Sequence, residues 1–144
     1  MLLPDVNVLV YAHREDSIAN HAEYAQWISR LAGGPEPFAL SVLVLSGFLR
    51  IVTNPRIFSP PSSFDSAFAF VSELTARPTA RIVGPGPEHL AVFEGLCREA
   101  GATGKLIADA QHAAVAVENG CTMVSTDADF DRFPGLRWQH PLRQ

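Results

Sequence analysis

The chain begins MLLPDVNVL (residues 1–9), a short apolar run that ends at a carboxylate, Asp5. Much later, CTMVSTDADF (residues 121–130) repeats the pattern, with an apolar run followed by Asp127 and Asp129. Ligands bind at the carboxyl ends of the strands in open α/β sheets, so two strand-like runs that each end in Asp predict one shared acidic site. Carboxylate oxygens are the ligands of hard cations such as Mg²⁺ and Mn²⁺. The pattern therefore predicts a metal-dependent site built from both ends of the chain.

Length and composition indicate a single domain over residues 1–144. The chain has 144 residues, of which 47% are hydrophobic and 18% charged, and this suits a globular fold with its own core. No apolar run reaches the length of a membrane span, and Pro4 and Asp5 interrupt the apolar start, which argues against a signal peptide. Cys97 and Cys121 are far apart, as is typical of free thiols in a reducing compartment. We therefore expect a cytoplasmic protein without a membrane segment.

The net charge of −4 argues against a protein that coats nucleic acid through a basic surface. It does not exclude an enzyme that acts on nucleic acid, because bound divalent ions would offset part of the charge of an acidic site. The net charge is therefore compatible with a nuclease.

Apolar periodicity alternates between strand-like runs and helical faces. Strands are predicted at 1–4, 37–40, 81–83, 122–124 and 136–138. Helices are predicted at 7–12, 18–31, 42–52, 64–74, 90–100 and 106–119, with a proline-containing loop over 53–63. This alternation predicts an α/β fold with a mostly parallel sheet and helices on both faces.

A third carboxylate, Asp109, lies in the first turns of the last predicted helix. Each acid has a plainer interpretation by itself: Asp5 as a helix N-cap, Asp109 as a first-turn residue, and Asp127 or Asp129 as a turn residue. Asn7 can hydrogen-bond a carboxylate or a metal-bound water. The combination is more informative, because one fold must bring two strand ends to the same edge of the sheet.

These residues resemble those of the PIN-domain family, in particular the VapC-type ribonuclease toxins of bacterial toxin–antitoxin pairs. The resemblance covers essentially the whole chain. It rests on the motifs LPDVNVL (3–9), LIADAQHAA (106–114) and VSTDADF (124–130). The stretches LSGFLRIVTNPR (45–56) and FPGLRW (133–138) resemble a mycobacterial-type subgroup.

The resemblance implies a three-layer α/β/α sandwich with a sheet of four to five strands. It also implies hydrolysis of RNA phosphodiester bonds with Mg²⁺, for which Mn²⁺ can substitute. Asp5 and Asp109 would be metal ligands, and Asp127 would bind metal directly or through water. Asp129 would share that role or fix the turn. Apart from the resemblance, Arg50 lies one helical turn after Ser46 on the same predicted face, where it could meet a phosphate or form an ion pair with the acids.

The chain departs from the family pattern at one position. Most such nucleases carry a Glu on the helix after the second strand, about where Ser46 stands, and no Asp or Glu lies between Glu36 and Asp65. A serine hydroxyl is a neutral and weaker ligand for a hard cation, so we expect looser metal binding or a water-mediated contact. Ser46 can equally be a small residue at a helix crossing.

Two other functions fit part of the pattern. One is a PIN-like module that binds RNA or an antitoxin with weak or no catalysis, because an acid is missing at Ser46. The other is a phosphatase of the haloacid dehalogenase type, which needs a second Asp where this chain has Asn7.

The resemblance also implies partners. They are an RNA substrate, a small VapB-type antitoxin and a second copy of the chain in a homodimer. The apolar residues Phe48 and Leu49, or Phe64, Phe68 and Phe70, could form the dimer surface.

Overall fold

The structure, a computed structural model, describes residues 1–143. Its five strands are β1 (Leu2–Pro4), β2 (Phe38–Ser41), β3 (Ala80–Val83), β4 (Thr122–Val124) and β5 (Arg137–Gln139). Its six helices are α1 (Val6–His13), α2 (His21–Gly33), α3 (Val42–Val52), α4 (Phe64–Thr75), α5 (His89–Ala100) and α6 (Lys105–Glu118). A 3₁₀ helix spans Ala128–Arg132. Every predicted strand and helix is present, with boundaries shifted by up to three residues.

The strands form one parallel sheet in the order β3-β2-β1-β4-β5. The central strand β1 pairs with β2 on one side and with β4 on the other, where Pro4 lies opposite Val124. The strand order therefore reverses at β1, and a crevice opens at the carboxyl ends of the strands at such a point. The predicted α/β fold is confirmed.

The helices pack in two groups on the two faces of the sheet. The first group contains α1 to α4, in which α1 contacts α2 and α3, and α3 contacts α4. The second contains α5 and α6, and α6 packs against β4. This is the three-layer α/β/α arrangement expected from the resemblance.

Local sequence explains where the helices near the crevice begin. Asp5 caps α1 by accepting a hydrogen bond from the backbone N–H of Val6, and Ser63 caps α4 in the same way from Ser66. The second helix begins at His21, later than the predicted Ile18, because residues up to the cap Asn20 form a turn. Gly104, with φ +58°, turns the chain into α6.

The hydrophobic core contains Phe38, Phe48, Phe130 and Phe133, all of which are buried. Phe48 is therefore unavailable for the dimer surface considered from the sequence, whereas Phe64 and Phe68 on α4 are exposed. Within residues 1–143, none of the helices combines the length and apolar character that a membrane crossing requires.

Candidate functional site

The two Asp-bearing strand ends meet at one edge of the sheet, as the sequence predicts. The backbone N–H of Asp5 donates to the carbonyl oxygen of Val124 at 2.8 Å, which joins the end of β1 to the end of β4. Asp127 follows β4 by three residues and caps the 3₁₀ helix. Parallel pairing of adjacent strands thus brings together acids that are remote in sequence.

Ser125 links these acids through its buried side chain. Its hydroxyl donates to Asp5 Oδ2 at 2.6 Å and accepts from the backbone N–H of Asp127 at 3.0 Å. Asn7 Nδ2 lies 3.4 Å from the same hydroxyl. Ser125 is not among the residues that the sequence singles out. The available signal was a polar residue placed between a buried strand and an acid.

Asp5 is a buried carboxylate with its own hydrogen bonds. Only 6% of the residue is exposed, and Asp5 Oδ1 accepts from the N–H of Val6 at 2.7 Å. Burial raises the pKa of Asp5 above its ordinary value, opposed by the hydrogen bonds from Ser125 and Val6. The negative charge of Asp109 also favours the neutral form. A cation bound beside both acids would offset this cost of ionising Asp5.

Three further carboxylates converge next to Asp5. One oxygen each of Asp109, Asp127 and Asp129 can lie within 4.8 Å of the others, a spacing that suits a shared metal ion. Asp109 is buried in α6, whereas Asp129 is exposed. Asp5 is outside this group of three but lines the same groove as Asp109 and Asp127. The predicted acids are therefore brought together.

A lysine that sequence analysis did not select lies among the acids. Lys105 Nζ is 3.0 Å from Asp109 Oδ2 and 2.6 Å from Asp127 Oδ2. Burial acts to raise the pKa of Asp127, but hydrogen bonds from Lys105 and from the N–H of Asp129 outweigh it and lower that pKa. The spacing of Lys105 four residues before Asp109 was the visible signal.

Asp5, Asp109 and Asp127 line a groove of about 460 Å³, whereas Asp129 is not part of its lining. Arg50, Ile57 and Phe58 border it, together with Asn7 and His112. The guanidinium of Arg50 and the exposed side chain of Ile57 provide charged and apolar contacts for a ligand, whereas the ring of Phe58 is buried. Asn7 and Arg50 thus both border the groove.

Ser46 is not brought together with the acids. It is exposed and lines a separate groove between α3 and α4 with Leu49 and Phe68. Its neighbour Gly47 faces the acidic groove instead, because successive residues of a helix point about 100° apart. A Cβ on Gly47 would lie 3.0 Å from a methyl group of Val6. The position opposite the acids thus carries no side chain.

Comparisons with known proteins place the chain in a family. The PIN domain matches residues 2–136. Ribonuclease VapC43 of Mycobacterium tuberculosis is 48% identical over 142 residues, which cover 99% of this chain and 96% of that protein. Ribonuclease VapC25 of the same organism is 47% identical over 141 residues, which cover 98% and 99% of the two chains.

The fold has a solved counterpart in VapBC2 from Rickettsia felis, bound to a DNA fragment from its promoter. That chain aligns with a TM-score of 0.70 and 18% identity, over 96% of this chain and 97% of that one. The sequence matches, the shared fold and the acids at the β1–β4 edge agree. The chain therefore belongs to the PIN-domain family and, within it, to the group of the VapC ribonucleases.

Proposed function

We propose that this protein is the toxin of a toxin–antitoxin pair and a metal-dependent endoribonuclease. The observation that carries the proposal is the convergence of four carboxylates at the β1–β4 edge of a PIN domain. Relatives nearly half identical over almost the whole chain are named ribonucleases. The haloacid dehalogenase-type alternative has no support from the family.

The chemistry of the residues fits Mg²⁺ or Mn²⁺. Asp5, Asp109 and Asp127 would hold the ion, with Asp129 joining them directly or through water. In such a site these acids would hold an ion that, when bound, would lower the pKa of a water molecule and offset charge on the scissile phosphate.

The chain's own side chains would orient the reactants. Ser125 fixes Asp5 and the N–H of Asp127 in one geometry, so the acids are held before substrate binds. Arg50, at the rim of the groove, would contact a phosphate of the RNA. Ile57, which is exposed, would face a ribose or base.

The alternative of a binding module without catalysis rests on the missing family Glu. With Gly47 at the position that faces the groove, no acid of α3 contributes to the site. Asp129 offers a further carboxylate close to those of Asp109 and Asp127. This arrangement supports a catalytic site with a different set of acids over a site that only binds.

We further propose a VapB-type antitoxin as partner, since the complex from Rickettsia felis pairs a toxin of this fold with its antitoxin. Exposed Phe64 and Phe68 on α4 offer an apolar surface for a homodimer. A substrate RNA and an antitoxin of this kind would place the protein in the cytoplasm.

RNA cleavage by purified protein tests the enzymatic proposal. Wild type should cleave with Mg²⁺ or Mn²⁺ and lose activity in EDTA. Asp5→Asn and Asp109→Asn should each lower the cleavage rate by about a hundredfold or more, because each removes a charged ligand. Asp131→Asn, at an exposed acid beyond the groove, is the matched control and should cleave like wild type. Cleavage that persists in EDTA or in Asp5→Asn would refute the metal-nuclease proposal.

A further inference from the structure

Lys105 is the only lysine in the chain, and its ammonium group bridges two of the clustered acids. Its contacts with Asp109 and Asp127 are 3.0 Å and 2.6 Å long. The side chain is 69% exposed and Asp109 is 12% exposed, so the lysine reaches inward from the surface. The ammonium is a compact positive charge among carboxylates, as a bound metal ion would be.

The helix itself does not favour a lysine here. Lys105 is the first residue of α6, where the partial positive charge of the helix N-terminus repels a cation. A lysine four residues before an acid is also the less favourable order for a helical ion pair. The contact with Asp127, which comes from a different element, therefore provides the main reason for the lysine's position.

The ammonium and a divalent ion would use the same carboxylates. Asp109 and Asp127 belong to the group of three acids that could hold one ion, and both give an oxygen to Lys105. Coulomb repulsion between the ammonium and an ion only a few ångströms away is strong in this half-buried site. The two cations therefore compete for these carboxylates.

We propose that Lys105 is a tethered competitor of the divalent ion, which holds the metal-free acids together and weakens metal binding. The proposal rests on the metal site of the proposed function. Ion binding displaces the ammonium, which stays on its flexible stem at the rim of the groove. In the metal-free protein the ammonium of Lys105 offsets the charge of the acids. Metal therefore binds only at a higher concentration than it would without Lys105.

Titration of metal-free protein with Mn²⁺ by isothermal calorimetry tests the proposal. Lys105→Met keeps the length of the stem and removes the charge, and it should bind Mn²⁺ about tenfold more tightly, equivalent to about 1.4 kcal/mol. Lys105→Arg retains a cation and should stay near wild type. Arg98→Met removes a cation from an exposed ion pair with Glu94 on α5 and serves as the matched control.

Thermal unfolding gives a second readout that does not depend on RNA. Without metal, Lys105→Met should unfold at a lower temperature than wild type, because the acids then repel one another unopposed. Saturating Mn²⁺ should raise its Tm more than that of wild type, in line with its tighter binding.

The outcomes separate the competition from the metal site itself. If wild type binds Mn²⁺ and Asp5→Asn does not, but Lys105→Met binds no more tightly than wild type, the competition is refuted and the metal site stands. If neither wild type nor Lys105→Met binds Mn²⁺, both the competition and the proposed metal-dependent function are refuted.

Discussion

Replacing Ser125 with alanine would remove the hydroxyl that connects Asp5 with Asp127. That hydroxyl donates to a buried carboxylate at 2.6 Å and accepts from a backbone N–H at 3.0 Å. A hydrogen bond to a charged group contributes roughly 1.5–3 kcal/mol, and a buried polar group left without a partner costs a similar amount. We expect Ser125→Ala to lower the free energy of unfolding at pH 7 in EDTA by about 3 kcal/mol. For a chain of this size the Tm should fall by roughly 5–10 °C.

The pH dependence of this loss has a definite sign. The folded pKa of Asp5 lies above its unfolded value because burial outweighs the hydrogen bonds. The folded state therefore holds its proton more tightly, and its stability falls as pH rises from the unfolded pKa through the folded one. The Ser125 bond lowers this pKa, so its removal raises the pKa further. Because the hydrogen bond from Ser125 favours the charged form of Asp5, the loss should grow as the pH rises from 5 to 7.

Urea unfolding at both pH values, followed by circular dichroism, measures the loss. Ser29→Ala, at an exposed position in α2, is the control and should change stability little. In the Asp5→Asn background, Ser125→Ala should cost less, with a coupling of at least about 0.5 kcal/mol. An equal loss at both pH values and in both backgrounds would show that the hydroxyl acts through packing alone, contrary to this reasoning.

Three other features can be tested by substitution. Gly104→Ala should lower the free energy of unfolding by about 1–3 kcal/mol in thermal unfolding, because φ +58° and ψ −128° suit only glycine, although a Cβ would meet no atom within 4 Å. Gly95→Ala, inside α5 with equal space, is the control and should instead stabilise the protein by about 1 kcal/mol. Equal effects of the two substitutions would contradict the backbone explanation. Ser46→Glu should leave Mn²⁺ affinity unchanged in calorimetry, since its side chain faces the groove between α3 and α4, and tighter binding would show that it reaches the acids. Arg50→Met should raise the KM for RNA cleavage about tenfold while Mn²⁺ affinity stays within about twofold of wild type, as expected for a phosphate contact. An unchanged KM would show that Arg50 does not contact the substrate.

The fold was predictable because its signals are local and repeated. Apolar runs of three or four residues alternate with helical faces, and Gly120 or Asn54 with Pro55 marks helix ends that the structure shows. The strand order and the register were not available, because they depend on contacts between residues far apart. Phe48 and Phe64 illustrate the limit: both are aromatic residues on helical faces, yet one is buried and the other exposed.

The site was predictable where acidic residues come after the ends of strands. Asp5 follows β1 directly and Asp127 follows β4 by three residues, so the sheet topology that brings β1 beside β4 also unites them. On α3 the sequence pointed to Ser46, whereas Gly47 is the residue that faces the acids. The prediction was off by one residue because α3 is apolar around most of its surface, so its sequence does not show which face meets the site. Lys105 and Ser125 were missed because their role depends on which carboxylate each one touches.

The pairing of β1 with β4 has a consequence for synthesis of the protein. Leu2, Leu3 and Pro4 have their partners at Thr122, Met123 and Val124, and the hydroxyl that anchors Asp5 follows at Ser125. A ribosome makes the first strand long before the fourth, so a nascent chain that ends within α6 has one acidic strand end without its neighbour. The complete acid cluster therefore cannot form until most of the chain has left the ribosome.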